Sequence, residues 1–251
     1  MKTGVNAPHP EWIVPDWPAP ARVRALVTTR AGGVSEGAHA SLNLGTNTDD
    51  DPANVARNRA IVSTYLSAEP KWLRQVHGTK VVEAERIEAG VEADGAVAHT
   101  RGQVLAVLTA DCLPVLFCDR DAQAIGIAHA GWRGLAAGVI ENTVRTMRVN
   151  AGEIVAYLGP GIGPAVYEVG AEVREAFVLA DTRAVDAFSP RPGGNKYLAN
   201  LYTLARQRLL CLGVEEIHGG GFCTFSDERF FSFRRERNTG RMASLIWIEN
   251  E

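Results

Sequence analysis

The sequence predicts one domain that mixes α-helices and β-strands, and three observations support this. The chain has 251 residues, enough for a large domain with a full hydrophobic core. Short runs of β-branched and aromatic residues alternate irregularly with helix-like segments, without an internal repeat. Hydrophobic residues make up 46% of the chain and charged residues 22%, as in ordinary globular proteins. We therefore expect a single domain over residues 1–251.

Six short segments are predicted to be strands because β-branched or aromatic residues dominate each of them. They are residues 22–29, 104–109, 113–118, 124–128, 153–158 and 243–248.

Four segments are predicted to be helices. The first follows Asp51, which can cap a helix, and Pro52, which suits a first turn. The others are residues 135–147, 171–180 and 196–213. The last carries apolar residues at helical spacing that end at Gly213, and we interpret this stripe as core: Leu198, Leu201, Tyr202, Ala205, Leu209 and Leu212.

Composition and the N-terminal segment limit the function classes. The net charge of −3 shows no excess of basic residues, so nucleic acid is not expected as the main partner. Residues 1–20 contain prolines where a signal peptide needs a continuous apolar run, and no later run approaches a membrane span. We expect a soluble, cytoplasmic protein without a membrane partner.

The four cysteines form no CxxC pair and are expected to be free thiols in a reducing compartment. Cys118, Cys211 and Cys223 are interpreted as small buried apolar side chains. Cys112 differs because Asp111 precedes it.

Two loops contain glycines and polar residues. Residues 28–45 are interpreted as a long solvated surface loop. Residues 158–164, LGPGIGP, match neither GxGxxG nor the P-loop pattern, and we expect a tight strand-to-helix connection there.

His77, Cys112 and His129 each lie at the end of an apolar segment, where a sheet would gather them at one edge. A lone histidine beside apolar residues is more often simply hydrogen-bonded, but three metal-binding side chains at such positions favour a common site. Their wide spacing does not match a zinc finger. It suits a catalytic zinc, which takes three protein ligands from separate elements and keeps a fourth position open.

Eight motifs, in this order, resemble the YfiH family, also called multicopper polyphenol oxidoreductase (laccase-like) proteins. The resemblance runs from Val14 to the segment that begins at Ile246. The motifs are WLRQVHG, ADG, LTADCLPVLFCD, AHAGWRGLAAGV, LGPGIGP, YEVG, LARQRLLCLGV and FFSFRRERNTGRMAS.

The resemblance implies a compact α+β domain in which packed mixed β-sheets are flanked by helices, an α/β/β/α sandwich. It implies one zinc ion, with His77, Cys112 and His129 as ligands. It also implies action on purine nucleosides: phosphorolysis of adenosine, inosine and methylthioadenosine, and deamination of adenosine. Copper-dependent polyphenol oxidation is the family's older description. Residues 46–52, TNTDDDP, depart from the family pattern, which leaves substrate preference less certain.

The two descriptions differ in the metal chemistry that they require. A multicopper oxidase needs many imidazoles, usually in HxH pairs, whereas this chain has six histidines and no such pair. Copper remains an alternative metal because it outcompetes zinc at most nitrogen and sulfur sites. Zinc serves hydrolytic deamination directly. The PCxxC pattern of nucleobase deaminases is absent. Asp111 is therefore our candidate proton shuttle, or else a carboxylate that orients a histidine.

Phosphorolysis also needs sites for phosphate and nucleoside. Arg133 precedes the helix predicted from Leu135, where a helix N-terminus favours an anion. Arg30 is a candidate second guanidinium, and Asn43 and Gln75 are candidates for binding ribose or base.

Two other classes of function stay open. One is a cell-wall precursor editing hydrolase with Cys112 as nucleophile, which requires a thiolate of low pKa paired with histidine. The other is a non-catalytic zinc protein. Metal content distinguishes the editing hydrolase from a zinc enzyme, because one thiol cannot be both a zinc ligand and a nucleophile. No oligomeric state is predicted.

Overall fold

The computed structural model describes residues 7–250. The first six residues of the segment 1–20, which we predict not to be a signal peptide, lie outside the described residues. Thirteen strands occur among the described residues. They are β1 (Val23–Val27), β2 (Pro70–Lys71), β3 (Val81–Glu83), β4 (Gly95–Ala98), β5 (Val104–Thr109), β6 (Leu113–Asp119), β7 (Ile125–Ala130), β8 (Ile154–Leu158), β9 (Glu168–Gly170), β10 (Phe188–Pro190), β11 (Lys196–Ala199), β12 (Glu216–Gly219) and β13 (Met242–Ile248).

The same residues form five α-helices, besides short 3-10 turns. The helices are α1 (Pro52–Ser63), α2 (Trp132–Ala137), α3 (Val139–Met147), α4 (Ala171–Val178) and α5 (Leu201–Cys211).

The strands form three sheets. The largest has six strands in the order β12-β8-β6-β7-β4-β3, the second four in the order β1-β13-β5-β2, and the smallest three in the order β10-β11-β9. The central strands β6 and β7 pair antiparallel, as do β4 and β7. The outer pairs β3–β4 and β8–β12 are parallel.

The four-stranded and six-stranded sheets pack face to face. Leu105 and Ile246 of the smaller sheet share a buried cluster with Leu116 and Ile127 of the larger one. Alternate residues of β5 and β13 form a second cluster on the opposite face, which includes Val62 of α1. The outer face of the six-stranded sheet is covered by α3, α4 and α5. Both sheets are therefore buried on two faces, and the expected α/β/β/α layering is confirmed.

All six predicted strands are present, with ends within two residues of those expected, and Asp51 caps α1 by accepting a hydrogen bond from the N–H of Ala53. The helix predicted over 135–147 differs. It is two helices, starts at Trp132 and breaks at Gly138, whose φ of 103° is available to glycine at little cost.

The helix predicted over 196–213 is also wrong in its first turn. Residues 196–199 are β11, which pairs with β9 and β10, and Asn200 caps α5 through its side chain. Leu198 therefore lies in a strand. The stripe is otherwise core, with Leu201, Tyr202, Ala205 and Leu209 buried.

Several expectations about loops and cysteines are corrected. The loop at 28–45 is not solvated throughout, because Leu42 to Gly45 are buried. The 158–164 segment leads into strand β9 and not into a helix. Its glycines do permit close packing, since a Cβ on Gly159 would lie 2.8 Å from a Pro114 carbon. All four cysteines are free, but only Cys118 is buried; Cys211 is exposed and Cys223 half-buried.

None of the helices between residues 7 and 250 combines the length and the apolar character needed to cross a membrane.

Candidate metal centre

Antiparallel pairing explains why distant residues meet at one end of the six-stranded sheet. Pro114 of β6 is opposite His129 of β7, so Cys112, two residues before Pro114, lies beside the end of β7. Gly95 of β4 is opposite Ala128 of β7, which brings Asp94 next to His129. Two strand starts and one strand end therefore converge.

His77, Cys112 and His129 form one cluster, whose candidate ligand atoms all lie within 4.8 Å of one another. The Cys112 Sγ is 3.8 Å from Nε2 of His77. The two imidazole rings meet edge to face, with centroids 4.8 Å apart. His129 is buried, Cys112 half-buried and His77 exposed, so the cluster opens to solvent on one side.

Asp94 connects two of these ligands and is completely buried. Its Oδ1 accepts hydrogen bonds from Nδ1 of His129 at 2.8 Å and from the N–H of His77 at 2.9 Å. Its Oδ2 accepts from the N–H groups of Val76 and Gly78, at 3.1 and 2.7 Å. One carboxylate thus orients the His129 ring, leaving Nε2 for a metal, and holds the loop that carries His77 in its left-handed conformation, with φ of 59°.

Gly131 leaves room for the cluster. A Cβ at this position would lie 2.8 Å from Sγ of Cys112, a distance that real Cβ atoms essentially never show, and 3.0 Å from Cδ2 of His77. The glycine of the GWRG turn is therefore required by the two side chains that pack over it.

Cys112 and His129 shift each other's pKa towards the charged form. Burial by itself raises the pKa of Cys112, but the charge of His129 and hydrogen bonds from both histidines outweigh it and lower the pKa to about 6. Burial by itself lowers the pKa of His129, but the charge of Cys112 and the hydrogen bond to Asp94 raise it to about 9. A thiolate and an imidazolium therefore coexist near neutral pH.

The donor set fits a metal ion. Zinc binds thiolate at about 2.3 Å and imidazole at about 2.0–2.1 Å, and tetrahedral geometry then places sulfur and nitrogen about 3.6 Å apart. The separation of 3.8 Å between Cys112 and His77 is close to this. The three ligands come from separate elements, and an orienting carboxylate supports the buried histidine, as at catalytic metal sites.

Asp111 lies beside the cluster, but its contacts are with other residues. Its Oδ1 accepts a hydrogen bond from the hydroxyl of Thr224, and its Oδ2 accepts from the N–H of Arg234, each at 2.6 Å. The carboxylate seen to orient a histidine is Asp94 and not Asp111. Sequence reasoning missed Asp94, and its signal was an acid directly before an apolar strand, in the ADG motif.

Asn43 and Gln75 use their amides within the protein. The Asn43 amide donates to Thr48 and Asp50, at 2.9 Å each, and accepts from the N–H groups of Gly45 and Arg241. The Gln75 amide exchanges two hydrogen bonds with the backbone of Leu108, at 2.8 and 2.7 Å. Both hold loops in place, and a direct substrate contact for either stays a prediction.

The two predicted arginines differ in their surroundings. Arg30 donates from Nε to the carbonyl of Ala40 and lies over Phe231. Arg133 is exposed and stacks on Trp132, with 4.5 Å from Cζ to the ring centroid. Gly131 packs against Cys112 and His77, so Arg133, two residues later in the same turn, lies near the cluster.

The family model described as multi-copper polyphenol oxidoreductase laccase matches residues 24–249. The chain belongs to this family. It is 52% identical to a purine nucleoside phosphorylase of Pseudomonas aeruginosa, over 95% of this chain and 99% of the relative. It is 51% identical to the purine nucleoside phosphorylase YfiH of Escherichia coli, over 94% and 98% of the two chains.

Solved structures agree. A Neisseria meningitidis protein superimposes with a TM-score of 0.91 at 49% identity and covers 96% of this chain and 100% of its own. A Bacillus licheniformis protein named YfiH has a TM-score of 0.83 at 31% identity, over 90% and 93% of the two chains. The predicted family and the α+β fold are both confirmed.

Proposed function

We propose that this member of the laccase-like family is a zinc-dependent enzyme of purine nucleosides. It would cleave adenosine, inosine and methylthioadenosine with phosphate, giving the free base and ribose 1-phosphate or its methylthio form, and would deaminate adenosine. The observation that carries the proposal is the open cluster of His77, Cys112 and His129, oriented by Asp94. Relatives named purine nucleoside phosphorylases support the substrate class.

Zinc is the metal that best suits the residues present. A group of three potential ligands suits a single ion with an open position, whereas a multicopper centre needs several ions and many more imidazoles. We found no second group of this kind among the described residues. Copper bound at the same three ligands would be an alternative occupant.

The chain's own residues would divide the chemistry. His77, Cys112 and His129 would hold the ion, which supplies Lewis-acid chemistry by polarising a substrate oxygen or activating water. In deamination, water adds at C6 of adenine and ammonia leaves. In phosphorolysis, a phosphate oxygen bonds to C1′ of the sugar while the bond from C1′ to the base breaks, and the base keeps the electron pair and takes up a proton. Asp111 stays our candidate for moving these protons.

The metal is tested by elemental analysis of purified protein. We expect about one zinc per chain. Single replacements His77→Ala, Cys112→Ala and His129→Ala should each lower this content, whereas Cys118→Ala, a buried thiol away from the cluster, should not. Undiminished zinc in all three ligand variants would refute the site.

The reaction is tested by chromatography of adenosine and inosine incubated with enzyme, with and without phosphate. We expect free base only when phosphate is present, and inosine from adenosine without it. Chelation of zinc should abolish both reactions. A zinc-loaded enzyme that converts no purine nucleoside would contradict the proposal.

One observation favours a second candidate, a hydrolase of cell-wall precursors with Cys112 as nucleophile. Cys112, His129 and Asp94 have the order of a nucleophile, a base and an orienting carboxylate, and the lowered pKa of Cys112 makes the thiolate available. Metal-free protein that hydrolyses a muropeptide precursor and is inactivated by iodoacetamide would favour this candidate over the zinc enzyme.

A further inference from the structure

A cavity of about 380 Å³ lies between residues 47–49 and residues 233–241. Its volume is within the range of about 300–1,000 Å³ that is typical of small-molecule sites. None of the residues predicted from the sequence as part of the site lines it.

Arg241 lines this cavity and is held in one position. Its Nη1 donates to the carbonyls of Thr239 and Gly240, at 2.7 and 3.0 Å, and its guanidinium lies over the ring of Phe233. Its Cγ packs on Gly45, where an added Cβ would come within 2.6 Å of it. The half-buried guanidinium has no carboxylate partner between residues 7 and 250, and its Nε and Nη2 make no hydrogen bond there.

Arg237 lies over the same ring, with 5.2 Å from its Cζ to the centroid of Phe233. Arg229 and Arg235, in the same part of the chain, each pair with a carboxylate, at 2.7 and 3.6 Å. Arg237 has no such pair in the described part of the chain. One aromatic ring thus holds two guanidiniums that lack a counter-ion.

Thr239 contributes an unused hydroxyl. The residue is 2% exposed, and its Oγ1 finds no hydrogen-bond partner in the structure from residue 7 to residue 250. Buried hydroxyls normally have a partner, and Thr239 is one of the residues that line this cavity. Asp49 is the lining carboxylate, so two arginines face one acid and the lining is net positive.

The cavity lies near the metal cluster. Met242 of β13 is paired with Thr109 of β5, so Arg241, one residue before Met242, lies beside the chain that continues from Thr109 to Asp111 and Cys112. A molecule bound at Arg241 would therefore be close to the groups that surround the metal.

We propose that this cavity binds a phosphate group, held by the guanidiniums of Arg241 and Arg237 and by the hydroxyl of Thr239. Guanidiniums bind phosphate oxygens in bidentate fashion, and the stack on Phe233 preorganises them. Inorganic phosphate and a sugar 1-phosphate share this chemistry. The inference rests on the proposed phosphorolysis for its choice of ligand. This site differs from the one expected at Arg133 and the N-terminus of the following helix, because α2 has only six residues.

Isothermal titration calorimetry with the zinc-loaded full chain tests this without turnover. Inorganic phosphate is titrated into wild type, Arg237→Gln and Arg241→Gln, in a buffer free of phosphate and sulfate. We expect each variant to raise Kd about tenfold to a hundredfold, the usual effect of losing a hydrogen bond to a charged group. Between residues 7 and 250 the side chain of Arg237 makes no hydrogen bond or ion pair and lies over the ring of Phe233, so Arg237→Gln should fold normally even if Arg241→Gln does not.

Two further variants test geometry and charge separately. Gly45→Ala keeps every charge but displaces Arg241, so it should also weaken phosphate binding. Arg57→Gln removes an exposed cation of α1 that lies outside the cavity, and should leave Kd within twofold of wild type. A repeat titration with ribose 1-phosphate identifies the source: tighter binding than phosphate indicates that the sugar phosphate is the natural occupant.

The proposal is overturned if Kd is unchanged in Arg237→Gln and Gly45→Ala, if Arg57→Gln weakens binding equally, or if Arg133→Gln weakens it more than the cavity variants do. Failure of the proposed function gives a different result. Phosphate binding that depends on Arg237 in an enzyme inert toward nucleosides would support the cavity and refute phosphorolysis.

Discussion

The variant Asp94→Asn tests whether Asp94 orients the metal ligands or only stabilises the fold. Each oxygen of this buried carboxylate accepts two hydrogen bonds, and together they come from Val76, His77, Gly78 and His129. An asparagine retains one oxygen and puts an NH₂ group where the other was. Whichever way the amide turns, two N–H donors face it and lose their acceptor.

The magnitude follows from these contacts. A hydrogen bond to a charged group contributes about 1.5–3 kcal/mol, so losing two costs about 3–6 kcal/mol of the free energy of unfolding. Loss of a carboxylate that orients a metal-binding histidine typically costs about 10–100-fold in metal affinity. Asp94→Asn should therefore be less stable and bind zinc about 10–100-fold more weakly.

Asp119→Asn provides a matched control at the opposite end of β6. Asp119 is also buried, and its carboxylate accepts hydrogen bonds from the N–H groups of Gln123 and Ala124, at 2.7 Å each, and of Asp121. Its amide can keep the oxygen that accepts from Gln123 and Ala124 and lose only the bond from Asp121, so Asp119→Asn should lose less stability, about 1.5–3 kcal/mol, and keep its zinc affinity. Urea unfolding of the metal-free proteins measures stability, and competition with a chelator of known affinity measures zinc binding.

Two results would refute the reasoning. Wild-type zinc affinity in a destabilised Asp94→Asn would show that Asp94 supports the fold without orienting the ligands. Equal loss of zinc in Asp119→Asn would show that metal binding follows global stability and not the local contact with His129.

Three further predictions concern neighbouring positions. Gly131→Ala should lower zinc content because its Cβ would collide with Cys112, while circular dichroism shows a retained fold. Asn43→Ala should lose about 2–5 kcal/mol in urea unfolding, because its buried amide makes several hydrogen bonds; unchanged stability with a raised KM would instead support a substrate contact. Asp111→Asn should lower deamination about 100-fold or more if this carboxylate moves the proton, and unchanged pH–rate profiles would assign it to the hydrogen bond with Thr224.

Local sequence patterns predicted the helices and strands whose side chains are buried in the core. Strand β5 is apolar from Val104 to Leu108 because both of its faces are covered, and such a run with β-branched residues identifies a buried strand. The metal ligands were found in the same way, since Cys112 and His129 interrupt or end apolar runs. Positions at strand ends are visible in the sequence even when strand order is not.

Tertiary pairing overrode local preference elsewhere. Residues 196–199 have apolar spacing that suits a helix, yet β9 and β10 provide hydrogen-bonding partners on both sides, and the chain joins them as β11. The break at Gly138 was likewise hidden, because apolar residues continue at helical spacing past it. Neither the register of a sheet nor the φ of one glycine follows from periodicity.

Asp94 shows the same limit within the site. Its role depends on β4 pairing with β7, which places it opposite His129, and on a loop from residues 76–78 returning to the same point. These partners are separated by 16 to 35 positions along the chain. A sequence shows that an acid precedes a strand, but only the strand pairing shows which histidine it orients.

Asn43 gains a different role once the cavity is considered. From the sequence it was a candidate for binding ribose or base, but its buried Oδ1 accepts the backbone N–H of Arg241, at 2.9 Å, and that of Gly45. It therefore fixes the two positions whose packing sets the Arg241 guanidinium. If the cavity holds phosphate, Asn43 acts on that ligand through Arg241, so Asn43→Ala should raise the Kd for phosphate in calorimetry about as much as Gly45→Ala does. An unchanged Kd in a destabilised Asn43→Ala would show that Asn43 supports the fold without positioning Arg241.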